Sequence, residues 1–229
     1  MSEPSRLTTW FRDSKLVLVA ELAIFAAIFV ADLLGYVPFS KTPFLLLLAL
    51  LSWFSARISW TEIDFKPWRN WGLTLLIGIA AGAGTEAFQL FASQPLLIQL
   101  TGEQPDLSDF RPLIGNTKYL LIGLALVWTL AAFGEEMVYR GYLLNRLGDL
   151  LAPAREGTVV ALVVMSAAFG MAHAYQGITG IIDEGLMGLI LGLFYLGFGR
   201  NLVIPIIAHG MQDTIDAFLI YSGNYPGLN

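Results

Sequence analysis

The chain reads as an all-α bundle of membrane-spanning helices, and three observations predict it. Hydrophobic residues make up 56% of its 229 residues and charged residues only 14%, with a mean hydropathy of +0.66. A soluble domain carries roughly 25% charged residues. The apolar residues are gathered into stretches near the ~20 residues that a spanning helix needs. Finally, both histidines of the chain, His173 and His209, and the pair Glu135-Glu136 with Arg140, fall within such stretches. Ionisable groups inside a bilayer cost about 2.5–3.5 kcal/mol or more on insertion scales, so they are seldom idle.

Seven stretches qualify as spans, near 16–34, 43–58, 71–92, 117–146, 158–175, 178–199 and 202–222. The first follows a basic start (Arg6, Arg12, Lys15), as a signal peptide does. It is longer than a signal peptide's apolar region, contains Glu21 and Asp32, and lacks a small-residue cleavage site, so it is read as a retained helix. The second is short, and is expected to be tilted or partly inserted. Between 93 and 116 the pattern breaks at Pro95, Gly102, Pro105, Pro112 and Gly115, with Glu103, Asp106 and Asp109 interspersed. That composition predicts an aqueous loop, with a short amphipathic piece at 95–100. The fourth stretch is long and its last turns are polar, so its end should project from the membrane.

The whole chain, 1–229, is thus one membrane domain, with a three-helix part over 1–92 and a C-terminal helix core over 117–222. Seven spans are expected; an eighth would invert everything beyond it. Gly78/Gly82 and Gly188/Gly192 have the four-residue spacing of closely packed membrane helices. With the N-terminus in the cytoplasm, ten of the basic residues (Arg6, Arg12, Lys15, Arg57, Lys66, Arg69, Arg140, Arg146, Arg155, Arg200) share that side, and only Lys41, Arg111 and Lys118 lie opposite. The bias favours that orientation. The absence of cysteine excludes disulfides, thiolate metal sites and a cysteine nucleophile. No basic cluster points to nucleic acid.

The chemistry-bearing residues form three short motifs. In the fourth stretch Glu136 and Arg140 are four apart and share a helical face, whereas Glu135 is turned about 100° away. One carboxylate can be neutralised while its neighbour stays free. In the fifth, Phe169 and His173 are four apart; in the seventh, His209 and Asp213 are, with Asp216 one turn on. Each motif alone has a bland reading: a solvated helix end, a packed imidazole, an interhelical hydrogen bond. Together they reach comparable depths at 1.5 Å per residue. Asp183, Glu184 and Glu86 are expected near the membrane surfaces, and most tryptophans near span ends.

The order E-E-x-x-x-R, F-x-x-x-H, H-x-x-x-[ND] on successive membrane helices resembles the CPBP family, which includes the Ras-converting type of CAAX prenyl endopeptidase and bacterial Abi proteins. The resemblance covers roughly residues 118–221. It implies an intramembrane endopeptidase, a hydrolase cutting a membrane-anchored and in some cases prenylated substrate. By that resemblance Glu135 activates water, His173 positions it, and His209 with Asp213 stabilises the oxyanion. Glu136, Arg140 and Phe169 support the site. Tyr139, Tyr142 and Trp128 are expected along a lateral entry route, above a cavity open to the cytoplasm. The third motif often ends in Asn; an ionised Asp213 cannot donate to an oxyanion, so it must be protonated, orient His209 or bind a cation.

The resemblance favours a metal-free glutamate mechanism in a prokaryotic plasma membrane. A zinc protease built on Glu135, His173, His209 and Asp213 is the alternative. Two further readings keep the fold without the protease: a non-enzymatic scaffold or immunity protein, and a proton-coupled transporter, for which no inverted repeat is evident.

Overall fold

The computed structural model describes residues 10–11, 14–151 and 155–228. Arg6 and Arg12, used in the orientation argument, lie outside them. Among the described residues the chain is helical without strands, and seven longer helices follow the apolar stretches. They are α1 (Lys15–Leu33), α2 (Thr42–Ser55), α3 (Trp71–Thr101), α4 (Thr117–Leu151), α5 (Arg155–Met171), α6 (Gly177–Gly197) and α7 (Val203–Tyr221). Five are long and apolar enough to cross a membrane: α1, α3, α4, α6 with the 3-10 turn before it, and α7. At 14 and 17 residues, α2 and α5 are shorter.

Local sequence sets the helix starts. The side chains of Ser14, Asn70 and Asn116 accept from the backbone amides of Val17, Leu73 and Tyr119, supplying acceptors to first-turn N–H groups that the helix leaves orphaned. The expected loop is shorter than its prolines suggested. Pro95 falls in the first turn of a renewed α-helical segment, Gln94–Thr101, where a missing N–H is tolerated. Hence α3 runs on to Thr101 through a π-helical turn at Gln89–Ser93, and ends at Gly102 with φ +76°.

Glycines decide how the helices meet. A Cβ on Gly78 would strike Ile207, and one on Gly82 would strike the Ala208 carbonyl, so α3 and α7 run backbone against backbone. Gly188 and Gly192 on α6 receive Phe169 and Leu162 of α5 in the same way. Around these seams lies an apolar core including Leu45, Trp53, Met137, Tyr142, Phe169, Tyr195 and Leu202. The groups that sequence position placed near the membrane surfaces are inside instead: Glu86 and Asp183 are each 2% exposed. Burial follows from the face each occupies, since Glu86 lies on the α7-facing side of α3 with Gly78 and Gly82.

Candidate active site

Helix α4 changes its winding where the chemistry sits. From Val127 to Glu135, and again from Met137 to Leu144, it is π-helical, with wider turns bonded i→i+5. Such winding recurs at functional sites because it re-aims side chains without breaking the helix. The two glutamates then point to different partners. Half-buried Glu135 accepts a hydrogen bond from Thr42 Oγ1 of α2 at 3.3 Å. Glu136 has no exposure and faces the interior.

Glu136 is the hub of a buried polar knot. Its Oε1 accepts from Arg140 Nη1 at 2.5 Å and lies 3.0 Å from His209 Nδ1 on α7. Arg140 also donates from Nη2 to the Gly188 carbonyl of α6 at 2.7 Å. A guanidinium buried to 3% exposure thus meets a carboxylate and a carbonyl, the satisfaction that an interior charge requires. One carboxylate ties α4 to α7, and one arginine ties it to α6.

Phe169 brings the imidazoles together. Its ring centroid lies 5.0 Å from that of His173 and 5.9 Å from that of His209, while the Arg140 guanidinium stands 4.9 Å over the same ring. His173 is not in the helix interior that its sequence position suggested. Helix α5 ends at Met171, and His173 sits in the turn leading to Ala174–Gln176. Its Nδ1 is 2.9 Å from the Phe169 carbonyl. A carbonyl only accepts, so Nδ1 carries a proton and, in the neutral tautomer, Nε2 presents its lone pair.

His209 lies between two carboxylates. Nδ1 faces Glu136, and Nε2 is 3.5 Å from Asp213 Oδ2 one turn along α7. A ring donating from both nitrogens satisfies this arrangement. Asp213 in turn lies within Coulombic range of His209, Glu135, His173 and Glu136. All the motif residues therefore converge, Phe169 among them. Tyr139 and Tyr142 are 3% and 1% exposed and do not line an open route: Tyr142 stacks on Phe25 and donates to Glu21. Trp128 is exposed, and its indole Nε1 donates to Thr214 Oγ1 at 3.2 Å.

Among the described residues no three His, Asp or Glu side chains make a set able to hold a metal ion. Sequence reasoning missed Thr42 and the Gly188 carbonyl. Neither carried a signal, because a helix-start threonine and a packing glycine have commoner explanations.

The family model for type II CAAX prenyl endopeptidases of the Rce1-like kind matches residues 117–215, from the start of α4 to within α7. Over that stretch the C-terminal core is similar to the CAAX protease family. The matched region contains every motif residue named above, while α1 to α3 lie outside it. Comparison with curated proteins gave no match, and neither did comparison with solved structures. With its long apolar helices, the chain is a multi-pass membrane protein, similar over 117–215 to membrane proteases.

Proposed function

We propose that this protein is an intramembrane endopeptidase that cleaves a membrane-anchored peptide, in the CAAX manner, with water activated by Glu135. The observation that carries the reading is the Phe169 ring set against both imidazoles, with Glu135 and Asp213 in Coulombic range. Three helix motifs that would be unrelated as packing features meet at one point.

Each group then has a task that its bonding supports. Glu135 keeps a weak hydroxyl partner, Thr42, and among the described residues it forms no ion pair, so it remains available to take a proton from water. The Nε2 lone pair of His173 accepts from the same water and orients it. As water attacks the scissile carbonyl, one C–O bond forms and negative charge develops on the carbonyl oxygen. The His209 Nε2–H, turned toward Asp213 at rest, shifts its hydrogen bond to that oxyanion and stabilises it. Asp213 holds the ring in place, which accounts for an Asp where the family pattern often has Asn. Glu135 then returns its proton to the leaving nitrogen as the C–N bond breaks. Glu136 and Arg140 fix His209 from the opposite side.

The test is cleavage of a quenched, membrane-tethered peptide by purified protein. Glu135→Gln should lower kcat at least ~100-fold, the usual reach of a general base, with its melting temperature unchanged. Equal activity in wild type and Glu135→Gln would overturn the assignment, and a wild type inactive on prenylated and unprenylated peptides alike would favour the scaffold reading. Activity should persist in strong chelator. Loss there, restored by zinc, would replace the glutamate mechanism with the metal one. A prenylated and an unprenylated peptide of one sequence decide whether the lipid is recognised.

A further inference from the structure

Glu86 is an enclosed carboxylate for which the hydrolytic reading has no use. It lies in the interior on α3, and neither oxygen has a hydrogen-bond donor. Along the seam Gly78 meets Ile204 and Ile207 and Gly82 meets Ala208 and Met211, and the same register one turn on brings Glu86 beside the α7 turn that carries Asp216. Asp216 Oδ1 is likewise buried without a donor. The other titratable groups facing the two are Asp213 from α7, Asp183 and Glu184 from α6, and Tyr225 from the segment after α7. All are acids. The amides and hydroxyl nearby are engaged elsewhere: Gln89 and Ser93 donate to Asp183, and Gln212 donates to Gln89.

Two carboxylates in contact in a low-dielectric interior cannot both be ionised. Either a proton or a larger cation must stand between them. Three of the four oxygens are buried, and among the described residues no His, Asp and Glu set is placed to hold a metal, so a proton is what fits.

We propose that Glu86 and Asp216 share a single proton, and that this carboxyl pair is a positioning device for the His209–Asp213 couple. Asp216 follows Asp213 by less than one turn of α7. With its proton, the pair is a hydrogen bond joining α3 to α7. Without it, two like charges face each other across the seam that seats His209, and α7 is pushed away from Gly82. The positioning role rests on the hydrolytic reading of His209 and Asp213; the shared proton does not.

Infrared spectra in lipid nanodiscs count the protons. Between wild type and the double variant E86Q/D216N at neutral pH, one protonated carboxyl and one carboxylate should be lost. A difference of two protonated carboxyls, or of none, would overturn the shared proton. Peptide cleavage by the same samples tests the positioning. Wild-type kcat should fall on the alkaline side as the proton leaves. In E86Q, whose amide does not titrate, that limb should move by about one pH unit or more with KM unchanged. An alkaline limb that stays fixed in both E86Q and D216N would overturn the positioning role. If wild type cleaves nothing at any pH, the hydrolytic reading and the positioning role fall together, and the infrared count alone decides the shared proton.

Discussion

At the residue scale, Glu136 and Arg140 show how a charge pair can serve stability and function separately. Breaking one side of a buried pair costs about 3–5 kcal/mol, because the survivor stays buried without compensation. Glu136→Leu strands the Arg140 guanidinium with only the Gly188 carbonyl, and removes the acceptor of His209 Nδ1. Its melting temperature should drop and its cleavage activity should disappear. The double variant Glu136→Leu/Arg140→Leu removes both charges and should recover most of the lost stability. Activity should stay absent, since His209 still lacks its orienting partner. Recovery of activity in the double variant would show that Glu136 acts only through the fold.

The helices make the site by approaching closely, and glycine permits it. Helix α7 carries His209 and Asp213, and its height and rotation are set where Ala208 rests on Gly82 of α3. Adding a methyl group there overlaps a backbone carbonyl, which no side-chain rotation relieves. Overpacking of this kind typically costs about 1–3 kcal/mol. Gly82→Ala should therefore lower both the melting temperature and kcat. Gly84→Ala, two positions on with open space around it, should leave both unchanged or slightly raise stability, since alanine favours helix. Equal effects at the two positions would remove Gly82 from the account. The π-helical winding of α4 belongs to this scale too: it turns Glu135 toward α2 and Glu136 toward α7 from adjacent positions.

For the whole molecule, the question is which way the bundle sits in the membrane. The basic residues favour a cytoplasmic N-terminus; with α1, α2 and α3 all crossing, the 102–116 loop would lie outside and the polar end of α4 inside. With no cysteine in the chain, single introduced cysteines report without background. Asp109→Cys in the exposed loop should react with a membrane-impermeant maleimide on intact cells. Asp149→Cys, exposed near the end of α4, should react only after permeabilisation. The reverse pattern would invert the orientation and move the aqueous face of the site. Lys41 fits this picture as an opposite-side charge neutralised locally, 3.0 Å from Asp32.

Hydropathy and spacing were enough to establish a helical membrane protein, to locate its seven longer helices apart from the far ends of α3 and α4, and to single out Glu135, Glu136, Arg140, His173, His209 and Asp213. Those are one-dimensional properties: a bilayer demands continuous apolar runs, and a helix places residues four apart on one face. Which side of each helix faces a neighbour is not written in any single stretch. Asp183 and Glu86 looked like surface groups by position and are interior because α6 and α3 turn those faces inward. The bond from Glu136 to His209, the Phe169 ring shared by two imidazoles, and the Thr42 hydroxyl on Glu135 each join residues far apart in the chain. They exist only because small residues let the helices approach, and that approach is a tertiary decision.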